Sequence, residues 1–141
     1  MPAMLDAGMM LAPAGLVSSS TDFTPVPCTV RDLPVCAWVV ALTVPPSAAA
    51  TFVLAIASST AGPWQTIATL PWPAGTTDRQ QVPIGVNASL ARHLNMQAAY
   101  LRMSVTLTSP LTLAGSWLAK SSDGGPGLGS RSYSLDGINA L

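Results

Sequence analysis

One stretch limits the folds open to this chain more than any other. Residues 35–57, VCAWVVALTVPPSAAATFVLAIA, hold no charged side chain. Wound as a helix the stretch would be about 34 Å long, enough to span a bilayer. Pro45 and Pro46 stand at its middle, where two rings remove consecutive hydrogen-bond donors and clash with the preceding turn. Each half is too short to cross alone. Neither flank carries the Lys/Arg cluster that fixes orientation, since Arg31 is followed at once by Asp32. The side chains favour sheet: Trp38, Val39, Val40, Thr43 and Val44, then Thr51, Phe52, Val53 and Ile56. The stretch therefore reads as two strands joined by PPSAAA, with both faces of each largely covered, and no membrane span is expected.

The same grammar runs on. WQTIATL (64–70) alternates, placing Trp64, Thr66, Ala68 and Leu70 on one face. PWPAGTTD (71–78) is a loop, and RQQVPIGV (79–86) a short strand whose Pro83 suits an edge or a bulge. AYLRMSVTL (99–107) gives the cleanest period of two: Leu101, Met103, Val105 and Leu107 inward, Tyr100, Arg102, Ser104 and Thr106 outward. After Ser109-Pro110, LTLAGSWLA (111–119) returns with Leu111, Leu113 and Trp117 on one face. FTPVPCTV (23–30) is a proline-interrupted edge strand. ASLARHLNM (88–96) alone has helical spacing, with Leu90 and Leu94 four apart and Ser89 placed to cap it, though a turn or loop fits equally. The expected fold is all-β: an antiparallel two-sheet sandwich or jelly roll of about eight strands.

The ends fall outside that pattern. Residues 1–18 carry Leu5, Met9, Met10 and Leu11 without strand alternation and read as an N-terminal arm. Residues 19–120 form the sandwich, and 121–141 a Gly/Ser-rich linker and C-terminal tail with Tyr133, Leu135 and Ile138. Apolar residues on an arm either dock on a neighbouring protein or pack back across their own sandwich. Trp72, in the 71–78 loop, joins them as a candidate interface anchor.

Composition narrows the partners. Six basic and six acidic residues cancel, which disfavours nucleic acid and anionic lipid. Charged residues are 9% of the chain and Glu is absent, so part of this surface is expected to be covered by protein. The N-terminus lacks a basic region and carries Asp6, so no secretory signal is expected, and the sequon Asn87-Ala88-Ser89 would matter only after secretion. Cys28 and Cys36 read as small buried hydrophobes, with a disulfide as the alternative. His93 is the only histidine, expected as a loop or surface imidazole hydrogen-bonded locally. No G-x-S-x-G elbow, paired Asp or phosphate loop occurs, and GGPGLGS (124–130) lacks the Lys-Ser/Thr ending. No enzymatic activity, cofactor or metal is expected. Indole faces stack on sugars, so Trp64 and Trp72 raise a carbohydrate-binding alternative, against core packing for the first and packing between Pro71 and Pro73 for the second.

Taken in order, MLDAGMML, AWVVALTV, TFVLAIASS, WQTIATL, RQQVPIGV, AAYLRMSVTL and LTLAGSWLAK, ending in a short Gly/Ser/Tyr tail, resemble the capsid cement (decoration) proteins of tailed bacteriophages. The likeness runs over residues 4 to 135 and includes the Leu5-Asp6-Ala7 opening and the Tyr100-Leu101-Arg102 strand. Its motifs are short, and the Trp, Pro and Met content and the Pro45-Pro46 turn depart from the pattern. The resemblance implies a jelly roll on the outer surface of a phage head, made in the host cytoplasm, that staples adjacent major capsid subunits against internal DNA pressure. It also implies a homodimer, with a homotrimer as the alternative. A tail or baseplate accessory module binding carbohydrate or another virion protein is the other reading.

Overall fold

The computed structural model describes residues 4–77, 79–96 and 98–120, with residues 4–9 and 120 described by backbone alone. Among them ten β-strands make two antiparallel sheets of five, packed as a sandwich. The first sheet runs β1 (Met4–Ala12), β10 (Leu111–Lys120), β5 (Cys36–Leu42), β8 (Gln80–Pro83), with β2 (Gly15–Val17) also on β10. The second runs β3 (Thr21–Asp22), β9 (Ala98–Leu107), β6 (Ala50–Ala57), β7 (Gln65–Trp72), with β4 (Val26–Thr29) also on β9. Pairing is nested: β1 with β10, β3 and β4 with β9, β5 with β8, β6 with β7. That concentric order is a jelly roll, and it explains ten strands where about eight are expected. One edge strand is broken into β3 and β4 around Pro25, and β2 is an extra short piece.

The core lies between the sheets. Trp38, Val40 and Leu42 of β5 meet Phe52, Leu54 and Ile56 of β6 and Leu101, Met103 and Val105 of β9, all buried in one cluster. Trp38 brings a polar N–H inside, and that group needs an acceptor. Ser116 supplies it: the Trp38 indole donates to Ser116 Oγ (3.0 Å), which donates on to the carbonyl of Val39 (2.9 Å), tying β5 to β10 within the core. No helix among the described residues is long and apolar enough to cross a membrane.

Several expectations are corrected. The stretch 35–57 holds two strands as expected, Cys36–Leu42 and Ala50–Ala57, but they are not paired with each other. β5 and β6 belong to different sheets, so residues 43–49 carry the chain across the sandwich, where the Pro46 carbonyl accepts the Gly75 N–H. Of the two readings of the N-terminal arm, packing back on its own sandwich is the one seen in β1 and β2. β1 and β2 pair with β10, whose hydrogen-bonding groups on that side need partners. Register shifts at Leu5/Met10 and Met10/Ala12 hide the alternation that would have marked it as strand.

Two further bulges reverse expected faces. In β7 an extra residue at Ile67 sits between Ala68, opposite Leu54, and Thr66, opposite Ala55. Ile67, Leu70 and Trp72 are therefore buried while Thr66 is exposed. In β10 the register slips between Leu113, opposite Leu42, and Gly115, opposite Ala41. Ser116 and Leu118 consequently point inward and Trp117 outward. Gly115 has φ +152°, which side chains rarely adopt, and a Cβ there would stand 3.4 Å from the Trp117 ring.

The helical segment shortens to α1 (Ala88–Ala91), capped by Asn87 rather than Ser89. Asn87 Oδ1 accepts the Leu90 N–H (2.8 Å) and its Nδ2 donates to the Ile67 carbonyl (2.7 Å). The amide of the sequon is thus engaged within the fold. Cys28 and Cys36 are buried thiols, not a disulfide, and Cys36 Sγ donates to the Asp32 carbonyl (3.2 Å).

Candidate functional site

The two outer faces of the sandwich differ in chemistry. On the β1–β10–β5–β8 sheet, cross-strand partners share a face, so the register assigns the outer rows. Met10, Trp117, Val39 and Gln81 form one row across all four strands. Ala119, Ala37 and Pro83 form the next, and Gly115 with Ala41 a third. Leu16 pairs with Thr112 beyond them. Val39 faces outward opposite Trp117 and is buried. Met10 is 39% exposed and Leu16 71%. Among the described side chains, the Arg79 guanidinium lies over this face, 5.6 Å from the centroid of the Trp117 ring. The described side chains of this face are mostly apolar and centre on an indole.

The sequence-predicted interface residues part company here. Met10 lies on the apolar face. Leu5 and Met9 belong to β1, Leu5 opposite Ala119. Leu11 is a correction: it is 3% exposed and sits in the core, because the irregularity between Met10 and Ala12 turns it inward. Trp72 is a second correction. It ends β7 instead of riding on a loop, is buried, meets Phe52 edge-on at 5.8 Å and donates its indole N–H to the Thr76 carbonyl (2.8 Å). Tyr133, Leu135 and Ile138 lie outside the described residues. Sequence reasoning missed Trp117, assigning it to the same face as Leu111 and Leu113. The isolated glycine at 115, within a strand pattern, was the available signal for a bulge.

Chemistry of other kinds finds little support in the geometry. Among the described residues no three His, Cys, Asp or Glu side chains gather as a metal site. His93 is a correction to the surface imidazole. It is buried, and neither ring nitrogen has a hydrogen-bond partner among the described residues. Trp64 is half-buried with one ring face covered by the Arg102 guanidinium at 4.5 Å, and Trp72 is inside, closed to a sugar. Burial, with a smaller contribution from neighbouring Cys36, pushes the Cys28 thiol up from 9.0 to about 11, which makes it unreactive.

No protein-family model matches this chain, and no curated protein matches it by sequence. Among solved structures, one similar fold is a mutant of Xylanase10C from Cellvibrio japonicus in complex with xylopentaose, at 10% identity and a TM-score of 0.45. That match covers 77% of this chain and 22% of the other. Another is the structure of the infectious bursal disease virus Gt strain, at 10% identity and a TM-score of 0.39, covering 82% of this chain and 31% of that one. The chain thus spans about a fifth to a third of the length of these two relatives.

Proposed function

We propose that this chain is a capsid cement protein: a jelly roll on the outer surface of a phage head that staples adjacent major capsid subunits and holds the shell against internal DNA pressure. The observation that carries the reading is the apolar row Met10–Trp117–Val39 on the outer face of the first sheet, flanked by exposed Leu16. A staple needs no reacting groups. It needs a rigid body and enough matched area at a subunit seam, roughly 1,200–2,000 Å² for a specific contact. A jelly roll with a continuous core supplies the rigidity, and a mostly apolar face supplies area that binds by exclusion of water. Repetition of one staple over many seams adds avidity. The likeness of the segments from MLDAGMML to LTLAGSWLAK to cement proteins supports the same reading. The chain is proposed to work as a homodimer, with a homotrimer as the alternative, and sedimentation velocity separates the two.

The test uses heads of the source virus. Heads stripped of this chain should rebind the wild-type protein to saturation. Met10→Asp combined with Leu16→Asp should leave the fold intact, since both side chains are exposed, and should reduce occupancy at least tenfold. Equal occupancy by the double variant would remove this face from the contact. Absence of the chain from purified heads would remove the capsid role itself.

A further inference from the structure

The two outer faces of the sandwich are lined differently. On the second sheet the register gives the outer rows Thr106–Thr51–Pro71, Ser104–Val53–Thr69 and Arg102–Ala55–Thr66, each with at least one hydroxyl for water to satisfy. On the first sheet the rows Met10–Trp117–Val39–Gln81 and Ala119–Ala37–Pro83 carry none. Ala37, Ala119, Ala41 and Gly115 keep the middle of that face smooth, and Met10 and Trp117 stand beside them. Apolar surface of this kind gains by being covered, and the polar face opposite does not.

β10 delivers the chain to this face. Trp117 and Ala119 lie in its two apolar rows, and Lys120, opposite Cys36, ends the strand. Residues 121–141 follow directly and lie outside the described residues. Their first part, SSDGGPGLGSRS, has the glycines and proline that reverse a chain. Their last part, YSLDGINAL, holds Tyr133, Leu135, Ile138 and Leu141, apolar groups too few to make a core of their own. Length decides whether tail and face can meet within one chain. Twelve residues, 121–132, separate Lys120 from Tyr133. A Gly/Ser-rich stretch of that length has an r.m.s. span of about 17–21 Å. Trp117 stands about 10 Å back along β10, and β5 crosses the face over about 20 Å. A linker whose span matches the distance to its site gives the highest local concentration, on the order of millimolar. We propose that residues 133–141 fold back over the Met10–Trp117–Val39 face of their own chain and cover it in the free protein. Tyr133, Leu135 and Ile138 are the groups that seat there, and any partner that takes the face displaces them first. The inference concerns the free chain and does not depend on the capsid reading.

The experiment places a bimane label on Asn139→Cys in the full chain, since tryptophan quenches bimane on contact. Cys28 and Cys36 are buried and do not take the label. Emission should be lower by about twofold or more than in the same chain carrying Trp117→Phe, because a tail at that local concentration is mostly seated. Trp117 faces outward, so its replacement leaves the core in place. Trp64→Phe should change nothing. Leu135→Asp with Ile138→Asp should raise emission to the Trp117→Phe level, since carboxylates do not bury against an apolar face. Quenching should hold over about a hundredfold dilution, because contact within one chain is independent of concentration. Emission unaffected by Trp117→Phe would overturn the proposal, and so would relief of quenching by Trp64→Phe, which would put the tail on the other sheet. Quenching that fades on dilution would overturn it too, because the occupant would then be the tail of a second copy. No heads enter the test, so none of these failures touches the capsid reading.

Discussion

Cys28 shows how burial alone sets the chemistry of a single residue. Its thiol lies on β4 opposite Ala99, inside the core, where a thiolate would lose its hydration. The folded pKa of about 11 stands above the ordinary 9.0, so between those values the unfolded chain releases a proton that the folded chain keeps. Stability from this group is whole below about pH 9 and is lost as pH rises through about 11. The loss is on the order of 1 kcal/mol, less than the full linkage value because water screens part of the site. Urea midpoints at pH 8 and pH 10.5 should fall further for wild type than for Cys28→Ala, and equal falls would contradict the assignment. His93 is the opposite case. Its two buried ring nitrogens lack partners among the described residues, a cost that burial exacts without return.

At the scale of elements, the edges of the second sheet are guarded. β7 is eight residues long and would be an open template for another strand. The Ile67 bulge breaks its register, Pro71 removes a donor, and Asn87 takes the Ile67 carbonyl. Asn87 thereby starts α1 and seals β7 with one side chain. Asn87→Ala should cost about 2 kcal/mol or more, since it removes a cap and a second hydrogen bond together. Asn87→Asp, which keeps the cap but loses the amide donor, should fall between that variant and wild type in thermal unfolding. A tie between Asn87→Ala and Asn87→Asp would mean that the bond to Ile67 adds nothing. In the first sheet the edge strand β8 is likewise short and ends in Pro83.

For the molecule as a whole, nesting sets the folding rate. β1 pairs with β10 across most of the described chain, and β3 and β4 reach β9 over nearly as much. Such pairs require long loops to close before any contact rewards them. Refolding followed by tryptophan fluorescence should take milliseconds to seconds, and completion within tens of microseconds would contradict the topology. The same wrapping produces two outer faces of unlike character, one apolar around Trp117 and one hydroxyl-lined around Arg102, on opposite sides of a shared core.

The alternation of Leu101, Met103 and Val105 against Tyr100, Arg102 and Ser104 was legible in the amino-acid order, because a strand of period two needs no neighbour to reveal its faces. So was the breaking of the uncharged run at Pro45-Pro46, since proline geometry is local. What the tertiary structure alone decided was parity beyond a bulge. Whether Trp117 or Ser116 faces the core depends on how β10 registers against β5, and whether Trp72 is an anchor or a core residue depends on β7 against β6. A bulge is one extra residue accommodated by a partner strand, and the partner is distant in the chain. Local pattern fixes where strands lie, while contacts made far along the chain fix which side of each one the rest of the world meets.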